Sequence, residues 1–90
     1  MDQRKALRIR QLEALMAIIN NGSVTAAAAE LGVSQPAASR LIGDLSKKFN
    51  FPLFSKREGQ LVPSQEVRLL IPDIQRVLEL MRQISDVSQD

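Results

Sequence analysis

The sequence predicts a mainly α-helical domain: three short helices, a small β-hairpin and one long terminal helix. Three observations carry this expectation. Apolar residues recur at three- and four-residue steps in separate stretches of the chain, which is the spacing of one helix face. Alanine and leucine supply much of a 44% hydrophobic fraction, while aromatics reach only 3%, a balance that favours helices over strands. Glycine, serine and proline then fall between those stretches, where helices stop and start.

The first helix is read from Ile9, Leu12, Leu15, Met16 and Ile19, which share one face. It stops near Asn21-Gly22, a helix-ending pair. Ser23 or Thr25 can cap the second helix, VTAAAAEL, whose four alanines make it stable and slim. Gly32 ends that helix, and Ser34 is a natural cap for the third. Pro36 falls in the third helix's first turn, where its missing N–H costs nothing. Ala38, Leu41, Ile42, Leu45 and Phe49 give this helix its buried face. After Asn50 and Pro52 the helical period is lost. LFSK and QLV are expected as short strands joined through Arg57-Glu58-Gly59.

Ser64 caps the last helix, and Glu66 suits its positive end. Within it, Val67, Leu70, Ile74, Val77, Met81 and Ile84 alternate in steps of three and four. That is a heptad with a and d filled, and Ile71 and Leu78 widen the stripe at e. A helix of about twenty residues is roughly 30 Å long, too long for the front half to cover. These six residues are therefore the expected dimerisation seam; the alternative is a helix folded back on its own domain. Pro72 falls at an f position and is expected to kink the helix rather than end it. The expected division is a compact head, residues 1–63, and a linker helix, residues 64–90.

The composition argues against an enzyme. The chain has no Cys and no His, which removes thiol nucleophiles, disulfides, most zinc sites and the usual general base near neutral pH. Glu13, Glu30, Asp44 and Glu58 form no suggestive pair, so no catalytic residue, metal or cofactor is expected. Residues 1–10 are charged but lead into no apolar segment, and no stretch reaches the roughly 18 apolar residues of a membrane span. A cytoplasmic location without membrane contact is expected. Net charge is only +2, yet it is uneven. Nine basic and five acidic residues up to Gln60 leave +4, whereas three basic and five acidic residues from Leu61 onward leave −2. A basic front and an acidic tail suit a polyanion-binding head on a non-binding stalk.

The run AAAAELGVSQPAASRLIGDL has helix-turn-helix spacing. Ala28 is the small residue such a unit needs where its helices cross, and Gly32 is the permissive residue in the turn. Leu31, Val33, Ala38 and Leu41 supply the apolar positions. With those inward, Ser34, Gln35, Pro36, Ser39, Arg40 and Gly43 turn outward. Small, polar and basic side chains near a helix N-terminus suit entry into a DNA major groove. Gln35 can pair bidentately with adenine and Arg40 with guanine. The hydroxyls of Thr25, Ser34 and Ser39 suit phosphate oxygens, and Pro36 and Ala37 can touch a thymine methyl.

From about Arg10 to the end of the last helix, this sequence closely resembles the N-terminal DNA-binding domain and linker helix of LysR-type transcriptional regulators. The residues that carry the resemblance are GSVTAAAAELGVSQPAASRLIGDL and LFSKREGQLVPSQE. Ser34 to Arg40 and Leu53-Phe54 are its most specific parts. The resemblance implies a winged helix-turn-helix from a bacterial regulator, bound as a dimer to an interrupted inverted repeat in double-stranded DNA. It places a recognition helix of about residues 35–48 in the major groove and the hairpin wing in the minor groove. Thr25, Ser34, Gln35, Pro36, Ser39 and Arg40 would meet the groove or its flanking phosphates. Linker helices would pair antiparallel between two copies, with a tetramer open to a full-length protein on the nucleoid. The family's wing arginine is replaced by the pair Lys56-Arg57, either of which can enter the minor groove. Val67 stands where the family commonly has glycine and is expected to add seam packing. Complete members carry a second, inducer-binding domain, so this chain is expected to be a fragment.

Blander readings stand beside these. Arg40 can pair with Asp44, one turn on. Lys56 and Arg57 can belong to an ordinary charged hairpin. Lys47 and Lys48 are expected as a solvated helix end, and Arg4, Lys5, Arg8 and Arg10 as a basic arm or a frayed terminus. Helix-turn-helix folds also serve purely in assembly; such a protein-interaction module without DNA binding should show an apolar or acidic face in place of Gln35, Ser39 and Arg40.

Overall fold

The computed structural model describes residues 6–88. Arg4 and Lys5, half of the expected basic arm, lie outside the described residues. The chain order is α1 (Ile9–Asn21), α2 (Val24–Leu31), α3 (Gln35–Ser46), β1 (Phe54–Arg57), β2 (Gln60–Pro63) and α4 (Gln65–Ser88). The predicted mainly helical fold, with its hairpin and long last helix, is what forms.

Capping explains the helix boundaries. Gly22 and Gly32 close α1 and α2 in the left-handed region, at φ 76° and 72°, where glycine bears no Cβ penalty. The Ser23 and Ser34 hydroxyls accept from the Ala26 and Ala37 amides at 3.1 and 3.2 Å. Ser64 does the same for Val67 at 3.2 Å. Each such cap contributes about 1 kcal/mol. Gln11 Oε1 accepts from the Arg8 amide at 3.1 Å, satisfying one free donor at the start of α1. Helix α3 stops at Ser46, two residues short of the expected end, and Phe49 lies beyond it, tilted against Phe51 with ring centroids 5.1 Å apart.

Two apolar clusters hold the molecule together. Leu12, Leu15 and Met16 of α1 meet Leu45 of α3, Leu53, and Val67 and Ile74 of α4. A second cluster sets Ala17 and Ile18 against Ala27 of α2, with Leu61 of the hairpin packed on it. The small alanines let α2 lie close to α1. The change of secondary structure at Pro63 is no break in packing, since the core runs across it.

The strands differ by one residue from expectation. β1 runs from Phe54 to Arg57 rather than from Leu53 to Lys56, and β2 extends to Pro63. The register pairs Phe54 with Pro63, Lys56 with Leu61 and Arg57 with Gln60. The turn is therefore the two residues Glu58-Gly59, both left-handed at φ 52° and 79°, as a tight hairpin with native twist requires. Leu53 is instead buried, and its carbonyl accepts from the Ser64 amide at 2.9 Å. The hairpin is pinned to the head: the Leu61 amide donates to the Gly22 carbonyl at 2.9 Å.

Helix α4 continues through Pro72 for 24 residues, about 36 Å. Val67 and Ile74 are 0% and 7% exposed, inside the domain's own core. These two residues of the expected dimerisation seam thus pack within their own domain. Ile71 and Leu78 pack partly against the same core. Beyond it, Leu80, Ile84 and Val87 remain 58%, 65% and 75% exposed. Ion pairs on this half are local and exposed. Arg82 bonds Glu79 Oε2 at 3.0 Å and Asp86 at 2.8 Å. The Arg82 hydrogen bond, chiefly, holds the Glu79 carboxyl below its ordinary value. Among the described residues no helix is long and apolar enough to cross a membrane.

Candidate nucleic-acid interface

The geometry at the start of α3 follows from two caps and a short turn. Gly32, Val33 and Ser34 separate α2 from α3. The Val33 amide reaches back to the Ala28 carbonyl at 3.0 Å, which fixes the angle at which α3 leaves. Ser34 caps, and Pro36 occupies the first turn without losing a hydrogen bond. Ala38 and Leu45 then face inward and are buried, while Leu41 and Ile42 are half-buried.

The opposite face is open. Thr25, Ser34, Gln35, Pro36, Ala37 and Arg40 are exposed, and Ser39 is half-buried. The fold thus brings the nominated residues of α3 together on one surface, with Thr25 on the first turn of α2. Arg40 takes no ion-pair partner among the described residues, Asp44 included. The pairing with Asp44 is not formed, and among the described residues none of the five guanidinium donors is engaged. Gly43 adds a further opening, since a Cβ built there would meet nothing within 4 Å.

The hairpin presents a second basic element. Lys56 and Arg57 are exposed beside the Glu58-Gly59 tip. Side chains alternate across a strand, so the two point to opposite faces. Lys56 shares its face with Phe54 and Leu61, which pack on the core, and Arg57 lies with Ser55 and Gln60.

Lys48 is no solvated helix end. Its ammonium donates to the Ala6 carbonyl and to Gln11 Oε1, the latter at 3.1 Å. It clasps the segment before α1 to the end of α3 and satisfies the buried Gln11. Nothing in the local sequence announces this contact, because the partners lie 37 and 42 positions away. Among the described residues no group of three or more His, Cys, Asp or Glu is placed to hold a metal ion.

A family model, the bacterial regulatory helix-turn-helix protein of the lysR family, matches residues 9–68. The chain belongs to the LysR family. The match takes in α1 to α3, the hairpin and the first turn of α4. Similar LysR-type relatives include the HTH-type transcriptional regulator DgcR of a Pseudoalteromonas species, 32% identical over 93% of this chain and 29% of that protein. The octopine catabolism/uptake operon regulatory protein OccR of Rhizobium meliloti is 34% identical over 93% of this chain and 28% of that protein. The chain thus spans less than a third of the length of these relatives. Among solved structures, the crystal structure of the CbnR DBD–DNA complex matches with a TM-score of 0.77 and 28% identity. That match covers 91% of this chain and 94% of that one.

Proposed function

We propose that this LysR-family chain reads double-stranded DNA as the sequence-specific part of a bacterial transcriptional regulator, acting as a dimer on nucleoid DNA in the cytoplasm. The observation that carries the reading is the exposed face of α3, where Gln35, Ser39 and an unpaired Arg40 surround small residues. Small side chains let the helix approach base edges, and the polar ones supply the donors and acceptors that distinguish them. The DNA in the related CbnR complex supports the same reading. In this arrangement α3 lies in the major groove, and Thr25 and Ser34 meet flanking phosphates. One cation of the hairpin reaches the minor groove. Because Lys56 and Arg57 face opposite ways, Lys56→Ala and Arg57→Ala should cost affinity unequally.

The seam for a second copy is the surface α4 leaves uncovered. Val77, Leu80, Ile84 and Val87 follow steps of three and four, and Leu70 continues the row one heptad earlier. Relative to the expected heptad this shifts the register by three residues. Met81, 43% exposed, lies at the edge of the row. Leu7 and Val77 flank an apolar hollow of about 180 Å³ between α1 and α4, ready to take side chains of the partner's helix. Two recognition helices held this way would read successive major grooves, about 34 Å apart.

Selection from a random duplex library tests the proposal. Enrichment of an interrupted inverted repeat is expected. Retention without enrichment would mean backbone attraction only, and no retention would favour a protein-interaction module. Arg40→Ala should lose roughly 1–3 kcal/mol on the selected site and relax preference at one base pair. Unchanged binding would remove Arg40 from the interface.

A further inference from the structure

Gln35 and Ser39 stand one turn apart at the start of α3, and the Gln35 amide nitrogen donates to Ser39 Oγ at 2.9 Å. Among the described residues no other side chain bonds Gln35. The neighbouring Ser34 hydroxyl is already engaged with the Ala37 amide. The pair is solvent-facing, so it contributes little to holding the fold together. Its consequence lies in what it leaves over.

We infer that Ser39 is a positioning residue that sets the Gln35 amide to read adenine and to reject guanine. The inference rests on the DNA-reading proposal above. An untethered glutamine samples many rotamers, and binding must first select one. Its amide has one acceptor oxygen and two N–H donors. Ser39 takes one donor and leaves a single N–H beside the carbonyl oxygen. That remaining pair matches adenine, whose major-groove edge offers one acceptor, N7, and one donor, the N6 amino group. Guanine offers two acceptors, N7 and O6. A free amide can turn both hydrogens toward them; the tethered amide has only one to give. The hydrogen bond to Ser39 therefore restricts which base edge Gln35 can satisfy.

The test is a base-by-base affinity comparison on the selected duplex, with Ser39→Ala, Ser39→Thr, Gln35→Ala and the double variant. Ser39→Ala places a better helix former at a half-buried position on α3, so helicity by circular dichroism should persist. The expected result is a roughly 2- to 12-fold loss of adenine-over-guanine preference at one base pair, the worth of one hydrogen bond. Other positions should keep their preferences, and Ser39→Thr, which keeps the hydroxyl, should retain the parent's. In the Gln35→Ala background, removing the Ser39 hydroxyl should change nothing further. A loss spread evenly over all duplexes and persisting without Gln35 would overturn the inference and make Ser39 a phosphate contact. If the parent chain shows no base preference anywhere, the DNA-reading proposal fails, and this inference fails with it.

Discussion

The two halves of α4 carry the same apolar rhythm to different ends. In the near half, Val67, Ile71, Ile74 and Leu78 turn toward α1 and join the head's core. In the far half, Leu80, Ile84 and Val87 keep more than half of their surface in water. Both sets repeat at three and four residues, and both belong to one unbroken helix. The period of a stripe says that an apolar partner exists. It does not say whether that partner is the same chain or another.

The largest expected effect breaks the near half. Val67→Asp puts a charge where nothing is exposed and nothing pairs with it, at a cost of several kcal/mol. The domain should unfold or melt far lower in a thermal scan. If its melting temperature held, Val67 would not be a core residue. In the far half, Leu80→Asp with Ile84→Asp should behave oppositely. Sedimentation should find monomers, while the monomer's own stability changes by less than about 0.5 kcal/mol. An unchanged dimer mass would move the seam elsewhere. The smallest effect sharpens where the head begins. Lys48→Met removes the clasp on Ala6 and one partner of Gln11 and should cost about 1 kcal/mol in urea unfolding. No change in the unfolding midpoint would show that the segment before α1 adds nothing to the head.

This contrast also explains how far the sequence could be read. Most helix limits were legible because their causes are local: Gly22 and Gly32 stop helices, and Ser23, Ser34 and Ser64 start them, whereas no glycine marks the end of α3 at Ser46. The nominated α3 surface was legible for the same reason, since burying Ala38 and Leu45 forces Gln35 and Arg40 outward. The hairpin slipped by one residue because Glu58 adopts a left-handed backbone that glutamate seldom takes. The exposed Leu80 and Val87 fall outside a heptad that starts at Val67, the first apolar position, which the core claims. The Lys48 clasp and the Gln35–Ser39 bond were hidden for different reasons. The first needs the third dimension, and the second needs a rotamer.

The bond from Leu61 to Gly22 bears on measurement between the two parts proposed to face DNA. The hairpin is fastened at Gly22, just before α2, and α3 hangs from Gly32, just after it. Helix α2 is thus a calliper bar of eight residues, about 12 Å long, with one jaw at each end. Its alanines make it thin, and its length sets the gauge between the jaws. Adding a single residue would open that gauge by about 1.5 Å and swing one jaw roughly 100° about the bar.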